Sequence, residues 1–222
     1  MKKPDSKTKE NKDQDKDMNT KPNETGPFHI EGHIKIFDPE SGQIYINKRN
    51  AIHYENMSIA LADSFANTGK GHIYQMVFGN GGTLVDPTGV ITYLTPNSVG
   101  TNSTLYNETF KKVVDNRSSL NTDPTRNKVE IKHLTGQVYT DLVVSCLLNY
   151  GEPSGQEAFD NGTNDGNYVF DELGLRGFDP DATDFEGKLL THVMFHAVQK
   201  SLNRLIQIDY TVRIQSLSGY NG

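Results

Sequence analysis

The sequence predicts a mainly β protein: an antiparallel, jelly-roll-like β-sandwich with one prominent α-helix and long loops. Three observations lead there. A run near the end, "IQIDYTVRI", alternates without a break. Apolar runs of strand length are repeatedly punctuated by Gly, Pro, Asn and Asp. One long segment lacks Gly and Pro and follows a helical period.

In chain order, "HIEGHIKIF" (29–37) sets Ile30, Gly32, Ile34 and Ile36 against polar neighbours. "DPESGQ" is a turn, and "IYIN" returns as the second arm of a hairpin. "NAIHYENMSIALADSFAN" (50–67) is the helix, with Asn50 as its expected cap. At helical spacing Tyr54, Met57, Leu61 and Phe65 share one stripe, and Ile52 and Ile59 a second. A helix with two apolar stripes needs two partners. The preferred reading tucks it between a sheet and a loop; the other makes it a subunit contact through Tyr54, Met57, Ile59, Leu61 and Phe65.

"VEIKHL", "VYTDLVVSCLL" and "LLTHVMFHAV" supply three further strands, the last two apolar enough to be covered on both faces. In the closing run Ile206, Ile208, Tyr210, Val212 and Ile214 form one face. Polar loops at 95–104, 115–127 and 151–167 are long enough to suggest contact surfaces.

Composition bounds the rest. Residues 1–25 hold seven lysines and six acidic residues with no aromatic, Ile, Leu or Val, so they are expected to be a disordered charged tail. They carry no apolar core behind the lysines and do not read as a secretory leader. Residues 26–222 suit one domain, with 15 basic against 22 acidic side chains. That balance argues against non-specific nucleic-acid binding, and no apolar run has the length of a membrane span. The lone Cys146 reads as a small core residue.

Each candidate chemistry has a plainer account. In "QMVFGNGGTLVDPTG" (75–89) the glycines match neither phosphate-binding pattern, since no Gly-Lys-Ser/Thr follows and Leu84 occupies the third dinucleotide position. A strand corner, with glycine tolerating positive φ, is expected there. His192 and His196 would suit zinc on a helix, but on a strand they lie roughly 13 Å apart, too far for one metal. Asp179, Asp181, Asp184 and Glu186 crowd one loop, read first as a solvated acidic turn and second as a weak calcium site. "DNGTNDGN" (160–167) has the same two readings. No nucleophile signature is present, and the expectation is a non-enzyme without cofactor.

Taken together, "NAIHYENMSIALA", "IYQMVFGNGGT", "YVFDELGL" and "KLLTHVMFHAVQKSLNRLIQIDYTVRI" resemble structural proteins of tailed bacteriophages, especially contractile-tailed marine phages. The similarity covers most of residues 28–217 and is most specific in the closing 30. It implies a β-sandwich building block of the virion, in the tail, neck, baseplate or fibre-attachment region. Other virion proteins would be its partners, in a homo-oligomeric ring or trimer. In that frame Glu172 and Gly174 of "FDELGL" would start a strand, and Lys200 and Ser201 would turn into the last one. The alternatives are a capsid decoration or head-fibre-anchoring protein, and a calcium- or carbohydrate-binding adhesion module.

Overall fold

The computed structural model describes residues 28–153 and 167–216. Among the described residues eleven strands and one α-helix follow in order: β1 (Phe28–Phe37), β2 (Ile44–Ile52), α1 (Tyr54–Phe65), β3 (Ile73–Gly79), β4 (Thr83–Val85), β5 (Ile91–Tyr93), β6 (Glu108–Val113), β7 (Lys128–Lys132), β8 (Tyr139–Leu148), β9 (Asn167–Phe178), β10 (Glu186–Ser201) and β11 (Ile206–Ser216), with a short 3-10 turn at Thr183–Phe185. Nine of the strands form one sheet in the order β6-β3-β9-β10-β2-β1-β11-β8-β7, and β4 and β5 form a separate hairpin. Every recorded pairing is antiparallel.

The mainly β, antiparallel expectation holds, but the sandwich does not. One continuous sheet curls into a half-barrel. The join is β2, which pairs along β1 from Gly32↔Asn50 to Phe37↔Ile44 and reaches β10 through its last residues, Ile52 and Ala51. Beyond that point the halves face each other across a single core. Ile34, Ile36, Val144, Ile208 and Tyr210 come from one half, and Met76, Phe78, Phe170, Leu175 and Phe195 from the other. Periodicity reports which residues face a core, and a curled sheet and two stacked sheets give the same alternation.

The closing strand is as read: Ile206, Ile208, Tyr210 and Val212 are buried, and Ile214 is partly exposed. The helix is shorter than expected. Asn50, Ala51 and Ile52 belong to β2, and His53 is the N-cap, its Nδ1 accepting from the Asn56 N–H at 3.2 Å. The chain turns there because the His53 N–H already donates to the Leu190 carbonyl of β10 (2.9 Å). Asn56 continues the anchorage, its side-chain amide donating to Leu189 O at 2.9 Å. Glu172 and Gly174 lie in the middle of β9 and not at a strand's start, and Lys200 and Ser201 end β10 just before the turn. A Cβ on Gly174 would stand 2.6 Å from Thr191 O, so β9 and the β10 backbone approach closely there. Cys146 is fully buried, and burial pushes its thiol up to about 12.

Candidate functional site

The three glycines after β3 sit where the chain leaves the sheet and crosses the middle of β9. None of Gly79, Gly81 and Gly82 has positive φ, so the reason offered by the sequence is corrected. The requirement is space. A Cβ on Gly79 would fall 2.4 Å from Asn107 O and 2.5 Å from Glu172 Oε1. One on Gly81 would fall 2.8 Å from Asn107 N, and one on Gly82 3.0 Å from Asp171 O.

Besides the backbone of Asn107 and Asp171, a pair of carboxylates on successive residues of β9 lies against this run. Glu172 Oε1 accepts from the Gly81 and Asn107 N–H groups at 3.0 and 2.8 Å. Its Oε2 accepts from the Tyr106 N–H and from His192 Nε2, both at 2.9 Å. His192 in turn accepts the Asn97 N–H on Nδ1 at 2.9 Å, which puts its ring proton on Nε2, facing the carboxylate. The Asp171 carboxylate takes the Gly82 N–H at 2.9 Å and the Thr83 hydroxyl. The glycine run does cradle an anion, but the anion is the protein's own.

The two carboxylates titrate in opposite directions. Burial raises Glu172, yet His192 and the three amides outweigh it and hold the group below its ordinary range. Asp171 has fewer donors, and burial leaves it raised. Both ring nitrogens of His192 and both oxygens of Glu172 are engaged inside the protein, and both side chains are fully buried. The pair is therefore a clamp, fastening the chain at 81–82, 97 and 106–107 onto β9 and β10.

The clamp fixes the root of the β4–β5 hairpin, which pairs with no strand of the nine-stranded sheet. Its base closes through Leu94 N to Gly82 O (2.9 Å), and its tip is the turn Asp86-Pro87-Thr88-Gly89, with Gly89 at φ 86°. Leu84, Val85 and Val90 are 59, 65 and 58% exposed, and Ile91 and Tyr93 are exposed as well. An isolated two-stranded hairpin has little stability of its own, so the carboxylates at its root fix its direction. Sequence reading expected a strand corner at 75–89 and did not single out this hairpin. The missed signal was the apolar side chains on both sides of a tight turn, too short a pair of arms to join the sheet.

The residues singled out from the sequence fall elsewhere. Met57 is buried, Ile59 and Leu61 are half-buried, and Tyr54 and Phe65 are exposed on α1. Asp179 and Asp181 bind Lys70 at 2.9 and 2.7 Å. Asp184 binds Lys111 at 2.8 Å, and Glu186 binds Lys111 and Arg176. The acidic loop thus spends its charge on protein cations, and among the described residues no group of three or more His, Cys, Asp or Glu is placed to hold a metal ion. His192 is in the clamp while His196 is exposed on the same strand. Most of the 160–167 stretch lies outside the described residues. No described helix is long and apolar enough to cross a membrane.

Comparison with known proteins found no matching family model, no matching curated protein and no matching solved structure.

Proposed function

We propose that this chain is a non-enzymatic structural subunit of a tailed-phage virion, assembling with copies of itself and with other virion proteins in the tail, neck, baseplate or fibre-attachment region. The observation that carries this reading is the apolar hairpin. Leu84, Val85, Val90, Ile91 and Tyr93 stand exposed on a two-stranded arm, and the buried, hydrogen-bonded carboxylates of Asp171 and Glu172 hold its root. Fixed apolar projections of this kind are stable in water chiefly when a partner covers them. Contact between such an arm and a different surface of the next copy is heterologous, and repetition of it closes a ring where the rotation from copy to copy closes. The resemblance of the helix, Gly-run and closing-strand phrases to tailed-phage structural proteins supplies the setting.

The test is quantitative detection of the chain in purified virions. A copy number per particle that follows tail symmetry supports the proposal. Absence from the particle, or hydrolytic activity traced to a single side chain, contradicts it.

A further inference from the structure

Where β2 and β10 separate, the curled sheet leaves two strand edges facing a gap. Their ladder consists of Thr191↔Ile52 and His192↔Ala51 among the described residues. From there β2 extends back to Ile44 along β1, and β10 extends on to Ser201 along β9. The gap holds two adjoining cavities of about 290 and 370 Å³ that share Tyr45, Ile46 and His196. All residues from Gln43 to Lys48 and from Phe195 to Gln199 line one or the other. A strand face presents alternate residues, so an unbroken run of lining residues means that the edges, with their backbone N–H and C=O groups, form the walls.

The gap also has a charge of its own. Lys48, His196 and Arg204 line it and no Asp or Glu does, in a chain whose net charge is −6. Lys48 reaches across to donate to Met194 O at 2.7 Å. Arg204 lies over the Tyr45 ring, 4.7 Å from its centroid, and donates to the Tyr45 hydroxyl. Neither cation makes an ion pair among the described residues; Asp38 acts on Arg204 only at longer range. Each thus keeps its charge available at an open cleft.

We propose that this gap binds an extended acidic segment of a partner protein, which adds as a strand between β2 and β10 and sets its carboxylates on Lys48, His196 and Arg204. Strand addition takes its affinity from main-chain hydrogen bonds and its selectivity from alternate side chains. Because β2 and β10 are antiparallel, the added strand runs antiparallel to one edge and parallel to the other. The open length, from Ile44 to Asn50, takes about six residues at ~3.3 Å each. A second copy is a poor occupant. The two free edges of the sheet, β6 and β7, each carry two lysines against one glutamate, Lys111 and Lys112 with Glu108, and Lys128 and Lys132 with Glu130, so neither is the acidic strand that the gap selects. Tyr93 of the β4–β5 hairpin also lines the gap, and the proposal does not depend on the virion reading.

The test is fluorescence anisotropy with the full chain and a labelled ten-residue peptide of alternating Glu and Val. Saturable binding is expected, with at least tenfold weaker binding for the Lys-Val counterpart and for the Glu-Val peptide N-methylated at alternate residues. Arg204→Glu and His196→Glu should each weaken binding at least tenfold; His196 is exposed, so its variant tests the charge with the fold intact. Equal binding of the Lys-Val peptide, indifference to N-methylation, or unchanged affinity in the His196→Glu protein overturns the proposal. A fall in the solution mass of Arg204→Glu without peptide would make the occupant a second copy and overturn it as well.

Discussion

The two halves of the curled sheet are built on different rules. In one, β1, β11 and β8 pair over ten residues at a time with unbroken register, from Phe28↔Ser216 to Phe37↔Gln207 and from Ile206↔Leu148 to Gln215↔Tyr139. In the other, the β9–β10 ladder shifts register at three places, and β3 shifts against both its neighbours. The buried polar side chains follow the same division. Gln75, Asp171, Glu172, Arg176, Thr191, His192 and Lys200 lie on β3, β9 and β10, while none of the recorded ones lies on β1, β7, β8 or β11. A regular ladder is stabilised by apolar burial and backbone pairing alone. The irregular half spends buried carboxylates and bulges on aiming side chains, and both the hairpin and the open gap belong to it.

The largest effect should come from removing the centre of the clamp. Glu172→Ala leaves the amides of Gly81, Tyr106 and Asn107 and His192 Nε2 without their acceptor. The expected loss is about 3–5 kcal/mol in urea unfolding. An effect below 1 kcal/mol would erase the distinction between the halves. The pH dependence has a defined sign. Glu172 is held below its ordinary 4.5, so its stabilisation is complete above that value and is lost as pH falls through the lower folded value. The stability gap between the natural protein and Glu172→Gln should therefore narrow on acidification below pH 4.

Next comes Gly79→Ala, which forces a Cβ against a backbone oxygen and should cost about 3 kcal/mol. A matched change in the regular half, Ile208→Val, should cost about 1 kcal/mol, the usual loss of one buried methyl. Reversal of that order would show that the glycine run adapts more easily than the regular core.

Lys200 gives a smaller, pH-gated effect. It is fully buried, donates to Asn149 O and Ser201 O at 3.0 and 2.8 Å, and burial brings its ammonium down to about 8 from 10.5. The unfolded chain binds the extra proton between those values, so this group adds stability as pH rises from 8 towards 10.5. Relative to Lys200→Met, the natural protein should gain on the order of 1–3 kcal/mol over that window. The smallest effect is kinetic: Cys146 should resist a thiol reagent in the native protein and react fully once unfolded, because it is buried and its thiol is held up at about 12.

The same comparison explains what the sequence reveals. Strands β1 and β11 are visible in it because each buries one face, and the period of two is then written in residue type, as in Ile206, Ile208 and Tyr210. The curl is not, since it depends on where β2 changes partners, at Ala51 and Ile52, and both are apolar residues in a helix-like context. The clamp is half visible. "FDELGL" and the Gly run each stand out, but a contact between Gly81 and Glu172 spans 91 positions, and no local pattern encodes it. Residue type alone also says nothing of whether Asp184 meets Lys111 or a metal ion.

The most direct test of the assembly role is the solution mass of the full chain by light scattering, beside a Leu84→Glu/Ile91→Glu variant. Both positions are exposed, so the variant should fold with an unchanged melting temperature. A discrete oligomer for the natural chain that falls to a monomer in the variant is the predicted result. A natural monomer, or an oligomer indifferent to the two charges, would contradict the hairpin as the assembling arm.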